Sequence, residues 1–284
     1  LQLLTIATLA GSQAQTSGPV TSAIDSFIEA QEISGAVTLV ARHGEIVHLE
    51  ANGDADITDN RQMKRDNLFW IASMTKPFTG AAILLLQDQG KLSTAELVEQ
   101  HLSEFTDLWL IDQKSPNEQS LKRPTRKITL KDLLTHTSGV PNISIPRAHS
   151  TLGEVVSLVS QQPLQFEPGS RWSYSNTGMD TLGHIAEVIS GQSFDEFLNA
   201  QFFKPLGMRH TSFHPSKRQS SRLAKTYQKD KETGALTEAE IHILKAPLWD
   251  RQRTVRPAGG LFSTAEDLFR FYQMVLNRGT WKGN

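Results

Sequence analysis

Phe69-Trp70-Ile71-Ala72-Ser73-Met74-Thr75-Lys76-Pro77-Phe78 is the stretch on which both the fold and the chemistry turn. If Ser73 opens a helix, Lys76 lies one turn further along the same face, so its ammonium reaches the Ser73 hydroxyl. A serine hydroxyl is a weak nucleophile at neutral pH and needs a neighbouring base. A lysine fills that role only where burial or nearby positive charge makes it release its proton. The backbone N–H groups and positive dipole end of a helix N-terminus favour an alkoxide or oxyanion at the same place. Ser73 is the only serine in the chain with a lysine three residues on. Taken alone, the pair reads equally well as an N-cap serine followed by a solvated lysine.

Working outward, 74–89 has a helical pattern (Phe78, Ala81, Ala82, Leu85) and is followed by Gly90, where a left-handed closing residue belongs. Its apolar residues run almost all round, which predicts an interior helix. A second polar constellation follows in Phe166-Glu167-Pro168-Gly169-Ser170-Arg171-Trp172-Ser173-Tyr174-Ser175-Asn176-Thr177-Gly178. Pro168-Gly169 marks a turn, and Tyr174-Ser175-Asn176 is expected on a loop entering the next helix. Alternate residues of an extended stretch point the same way, so Tyr174 and Asn176 are expected to face one cleft. A phenol beside a cationic lysine has a lowered pKa and passes a proton between nucleophile, leaving group and lysine. Asn176 offers a donor and an acceptor for a substrate amide. The bland alternative for this segment is a buried tyrosine and an asparagine N-cap.

The remaining elements are coarser. Apolar spacing predicts a helix over 20–33, and β-branched runs over 36–50 interrupted at His43-Gly44 predict a hairpin covered on at least one face. Capping boxes are expected at Thr151 with Glu154, Ser193 with Glu196, and Ser263 with Glu266, and a helix is expected from about Thr177 to Ser190, stopped by Gly191. A last helix is expected near 264–277. No internal repeat or low-complexity tract is present.

With 284 residues, 38% of them hydrophobic and 21% charged, the chain has enough apolar residues for one large core or two lobes sharing a cleft. The 29 Lys and Arg against 30 Asp and Glu leave a net charge of -1, so no broad field steers nucleic acid or an anionic membrane. The apolar run over 1–10, ending in Gly11-Ser12-Gln13-Ala14-Gln15, reads as a partial signal peptide over 1–14, too short to span a bilayer and cleaved after Ala14. Export to the periplasm or medium is the expectation. The absence of cysteine excludes a disulfide framework, a thiolate zinc site and a lipid anchor on cysteine.

The order Ser73-x-x-Lys76, then Tyr174-x-Asn176, resembles the class C-like branch of the serine β-lactamase and penicillin-binding-protein superfamily. Leu133-Leu134-Thr135-His136-Thr137-Ser138-Gly139, Pro205-Leu206-Gly207-Met208 and Pro257-Ala258-Gly259-Gly260-Leu261-Phe262-Ser263-Thr264 look like the same branch. The resemblance implies an α/β (α+β) β-lactamase/transpeptidase-like fold: an antiparallel sheet flanked by helices, plus a mostly helical lobe. It places an α/β lobe over 15–85 and 255–284 and a helical lobe over 86–254. It makes Ser73 the acylated nucleophile, Lys76 its activator, Tyr174 the general base and acid, and Asn176 a ligand of substrate and lysine. The Ser73 N–H becomes one oxyanion donor. His136 falls in a segment that supports the site and is not expected to be catalytic.

Members of that branch carry a third element, Lys-Thr-Gly or His-x-Gly, after the segment resembling 257–264, and none occurs before Asn284. The expectation is therefore a fragment truncated at both ends, with an incomplete domain over 15–284 that lacks C-terminal strands, folds poorly and is nearly inactive alone. The reaction expected of the whole protein is acyl transfer through an acyl-enzyme on an ester, D-peptide or β-lactam carbonyl of a small-molecule or peptide substrate. A non-catalytic or penicillin-binding member is the alternative. No cofactor is called for, and oligomeric state is not legible. A metal site at His210 and His214, four apart, is disfavoured by Pro215 and the missing glutamate between them. No Gly-x-Ser-x-Gly elbow supports an α/β-hydrolase.

Overall fold

The computed structural model describes residues 18–115, 118–144, 149–245 and 247–282. The apolar run over 1–10 and the expected cleavage point after Ala14 lie outside the described residues. Helix α1 (Pro19–Glu29) starts on Pro19, whose fixed φ suits a first helical turn, and ends earlier than 33. Strands β1 (Gly35–Arg42) and β2 (Glu45–Asp56) pair antiparallel, Leu39 opposite Leu49, and a two-residue strand β3 (Arg61–Gln62) adds to β2. The turn between β1 and β2 has positive φ at both His43 (53°) and Gly44 (82°), the twist that a right-handed hairpin needs. The hairpin is longer than expected, and α1 packs on its strand β2.

Strand β4 (Phe69–Trp70) then leads into a 3-10 turn, Ala72–Thr75, and helix α2 (Lys76–Asp88). Gly90 follows with φ 66°, as the sequence anticipates. Phe78, Ala82, Ile83 and Leu86 of α2 are buried, whereas Leu84 is about half exposed, so one face of α2 meets solvent and the helix is not interior all round. Phe78 stacks on Phe271 at 3.8 Å between centroids and meets Phe203 edge-on at 5.9 Å. Full burial of one such ring contributes about 1.5–3 kcal/mol, so this aromatic knot anchors the helix that carries Lys76.

Residues 86–254 are less purely helical than expected. Two antiparallel hairpins interrupt them: β5 (Leu110–Lys114) with β6 (Gln119–Lys122), and β7 (Tyr227–Lys229) with β8 (Leu236–Glu238). Their strands are short and largely exposed, so they lack the apolar alternation that would announce them. Around them lie helices α3 (Leu130–Leu134), α4 (Leu152–Ser160) and α5 (Asn176–Ser190). Further on come the short α6 (Phe194–Leu198), α7 (Lys204–Leu206) and α8 (Lys217–Ser220), with a π-helical turn Asn199–Phe203 between the first two. The capping box of Thr151 and Glu154 forms in full. Ser193 sits at the N-cap of α6, but its hydroxyl donates to Glu196 instead of accepting a backbone N–H.

The box assigned to Ser263 and Glu266 is corrected by one residue. Ser263 belongs to strand β9 (Phe262–Ser263), paired with β4, and Thr264 caps helix α9 (Ala265–Leu276) by accepting from the Asp267 N–H. A strand partner claims Ser263 first, which moves the helix start along the chain. Helix α9 also packs on β1. The fold is thus mixed α/β with small antiparallel sheets.

Candidate active site

The turn that carries Ser73 is set by backbone before any side chain acts. Pairing of Phe69 with Ser263 and Trp70 with Phe262, followed by the Ile71 N–H donating to the Leu261 carbonyl, brings the chain to Ala72. Ala72 has φ 45°, a left-handed conformation that an L-residue with a Cβ adopts at a cost. That elbow turns Ser73 and Met74 outward while Thr75 and Lys76 go in. The Ser73 N–H donates to no group among the described residues, as an oxyanion donor would.

Lys76 is 9% exposed. Its Nζ donates to Ser73 Oγ at 3.1 Å and to the carbonyl oxygen of Ala258, and it lies 4.7 Å from the centre of the Tyr174 ring. The Tyr174 hydroxyl donates to Ser73 Oγ at 2.8 Å, so three of the four residues singled out in the sequence meet on one oxygen. Burial pushes the Tyr174 pKa up, but its hydrogen bonds with Lys76 and Ser73 and the lysine charge outweigh this and hold it below its ordinary value. Once the phenol is ionised the bond to Ser73 reverses, and the serine becomes the donor.

Asn176 behaves differently from expectation. It is the first residue of α5, with Ser175 as the cap whose hydroxyl accepts the Gly178 N–H. Its backbone N–H donates to Asn142 Oδ1 at 2.6 Å, and no hydrogen bond joins its side chain to Lys76 among the described residues. The lysine is held by the Ala258 carbonyl instead. Asn142, which the sequence reading overlooks, also donates from Nδ2 to the Tyr174 carbonyl at 2.9 Å, so one amide clamps both ends of the Tyr174-Ser175-Asn176 turn.

His136 makes no bond to Ser73 or Lys76. Its carbonyl accepts the Ser173 N–H, its Nδ1 accepts the Ser175 N–H, and its ring lies 4.7 Å from that of Tyr174. Burial first, then the Lys76 charge, hold its pKa below the ordinary 6.5. Nearby, Gly139 has φ 80°, and a Cβ there would stand 2.4 Å from the Phe166 carbonyl, so only glycine lets the two segments dock.

The segment resembling 257–264 forms the opposite support. Thr79 donates to the Pro257 carbonyl at 2.8 Å, Trp70 Nε1 to the Gly259 carbonyl at 2.7 Å, and the Leu261 N–H to Thr75 Oγ1 at 3.1 Å. Side chains from β4 and α2 thus hold this strip along its length.

His210 and His214 serve elsewhere. His210 Nδ1 faces Arg222 at 3.2 Å, whereas His214 Nε2 lies 3.1 Å from the Arg253 carbonyl.

A family profile described as Beta-lactamase matches residues 20–282. The chain belongs to that family. A Mycobacterium tuberculosis protein is 32% identical over 273 residues, covering 92% of this chain and 67% of the relative. Protein flp of Staphylococcus aureus is 29% identical over 263 residues, and there the chain spans 48% of the relative's length. Among solved structures, EstCE1, a hydrolase with promiscuous acyltransferase activity, superposes with a TM-score of 0.76 at 25% identity over 93% of this chain and 72% of its own. A class C beta lactamase from Rhodobacter sphaeroides gives 0.68 at 26% identity, over 91% and 65%. This beta-lactamase family chain therefore has hydrolase, acyltransferase and penicillin-binding-protein-like neighbours.

Proposed function

We propose that this chain carries the acylation site of a serine hydrolase that works through an acyl-enzyme on an ester, D-peptide or β-lactam carbonyl. The single observation behind this reading is that Lys76 Nζ and the Tyr174 hydroxyl both lie within hydrogen-bonding distance of Ser73 Oγ. Ser73 loses its proton to the Tyr174–Lys76 pair as Oγ attacks the carbonyl carbon. The oxyanion forms beside the unengaged Ser73 N–H. Tyr174 then returns the proton to the departing alcohol or amine, and water attacks the acyl-enzyme by the same route reversed. Positioned proton transfer of this kind contributes about 10²–10⁴-fold to rate.

An esterase or peptidase-like hydrolase is favoured over a dedicated antibiotic-degrading enzyme by the likeness to EstCE1, and transfer of the acyl group to an alcohol other than water is a natural side reaction of the same intermediate. The test is covalent labelling by a fluorophosphonate and by a fluorescent penicillin, with the modified peptide located by mass spectrometry. Label on Ser73 that disappears in Ser73→Ala supports the reading. A folded chain whose Ser73 stays unmodified by both probes refutes it.

A further inference from the structure

Ala258 is held through both sides of its backbone. Its N–H donates to Asp180 Oδ1 at 3.0 Å, while its carbonyl accepts from Lys76 Nζ. Asp180 is wholly buried in α5, and its second oxygen, Oδ2, accepts from Arg256 Nη2 at 2.8 Å and Nε at 3.1 Å. Both carboxyl oxygens only accept, from three donors in all, which is the bonding of a carboxylate and not of a neutral acid. Burial, the largest influence, leaves the Asp180 pKa above its ordinary value, although Arg256, the Ala258 N–H and the Lys76 charge pull against it. A buried ion pair of this kind is weak as a source of stability, because desolvation consumes most of the attraction. Its placement, one residue's backbone away from the reactive amine, suggests a different use.

The groups facing Lys76 come from every element around it. They are Tyr174 from the turn before α5, His136 from the segment after α3, Asp180 from α5 itself, and Arg256 beyond Asp180. Asp180 is the one that carries a negative charge with the phenol protonated. Close approach of the strip to α5 is built in, since a Cβ on Gly183 would stand 2.2 Å from Pro257 Cγ.

We propose that Asp180, compensated by Arg256, is a positioning residue for acyl transfer: it fixes the Ala258 backbone so that its carbonyl holds Lys76 against Ser73. The inference rests on the reading of Ser73 and Lys76 given under Proposed function. In Asp180→Asn the amide oxygen still accepts the Ala258 N–H, although the negative charge is gone and Arg256 is left uncompensated. In Asp180→Ala the Ala258 backbone is released.

The experiment is the rate of Ser73 modification by a fluorophosphonate against probe concentration, which separates binding from reaction. In that reaction the Oγ–P bond forms, the P–F bond breaks, fluoride departs and the serine proton passes to the Tyr174–Lys76 pair. Rates are taken per folded molecule, with thermal melting of each variant as the reference. Asp180→Ala is expected to slow the plateau rate about 100-fold with little change in probe binding, the size of loss that follows misplacement of a reacting group. Asp180→Asn, which keeps the acceptor for the Ala258 N–H, is expected to restore most of that loss. An unchanged plateau in Asp180→Ala, or a plateau in folded Asp180→Asn no higher than in Asp180→Ala, overturns the proposal. Should Asp180→Ala not fold, Gly183→Ala, which forces the Ala258 strip off α5, replaces it, and an unchanged plateau there overturns the proposal. If wild-type Ser73 is never labelled, the hydrolase reading fails separately, and reductive methylation of Lys76 at fixed pH, read by peptide mass spectrometry, takes over. Faster methylation in Asp180→Ala, where the amine has lost its hold on the Ala258 carbonyl, then sustains the inference, and an equal rate removes it.

Discussion

The two walls that meet on Ser73 are built to opposite specifications. On the Lys76 side, the amine is almost wholly covered, and its partner is a backbone carbonyl tied down by the buried Asp180, with Thr79, Trp70 and Thr75 pinning the flanking residues. On the Tyr174 side, the phenol is 38% exposed and its neighbour Trp172 is 64% exposed, held by a half-buried His136 and a single Asn142 amide. The difference teaches where each kind of precision is needed. An amine that must stay on one oxygen is best fixed in a dry setting, whereas a phenol that exchanges protons must reach both that oxygen and solvent.

The sharpest way to break the contrast is to push the dry wall apart. Gly183→Ala places a Cβ 2.2 Å from Pro257 Cγ, so the strip carrying Ala258 must move off α5. Overpacking of this kind costs about 1–3 kcal/mol, and a displaced Ala258 carbonyl should lower the fluorophosphonate labelling rate by more than the stability loss explains. Denaturant unfolding and labelling on the same samples check both.

Asn142→Ala attacks the open wall. It strips two hydrogen bonds from the Tyr174-Ser175-Asn176 turn, worth about 1 kcal/mol each, so it should lower stability by up to about 2 kcal/mol and slow labelling by more than that loss explains, through poorer Tyr174 placement. Equal losses in rate and stability would show that the turn is no softer than the Lys76 side.

The smallest expected effect is titration of His136. Its folded pKa is depressed, so the unfolded chain binds the proton more readily, and stability present near neutrality is lost as pH falls below about 6.5. His136→Asn keeps an acceptor for the Ser175 N–H and tolerates the positive φ of 58° at this position. Its melting temperature should vary less than wild type between pH 7.5 and pH 5.5, on the order of the range spanned by a single histidine.

What the sequence made legible follows from this same division. Ser73, Lys76 and Tyr174 stand out because a nucleophile, an amine and a phenol are side-chain chemistry at fixed spacings, and they do converge. The Ala258 carbonyl is invisible to such reading, since every residue has one and only the fold chooses which will be used. Asp180 leaves a faint trace: an acid set among Met179, Leu182, Ile185 and Ala186 on a buried helix must have a partner. Asn142, in an irregular stretch, leaves none. Among the larger elements, the β1–β2 hairpin was readable from its β-branched runs and its His43-Gly44 turn, whereas the exposed β5–β6 and β7–β8 hairpins bury too little to leave a periodic pattern.

The left-handed backbone at Ala72 limits how this motif can diversify. A β-branched residue at that position would collide with its own carbonyl, so variants next to Ser73 are restricted to glycine, alanine and the small polar residues that tolerate such an elbow. Met74 and Trp172, 44% and 64% exposed beside the same cluster, carry no such backbone restriction.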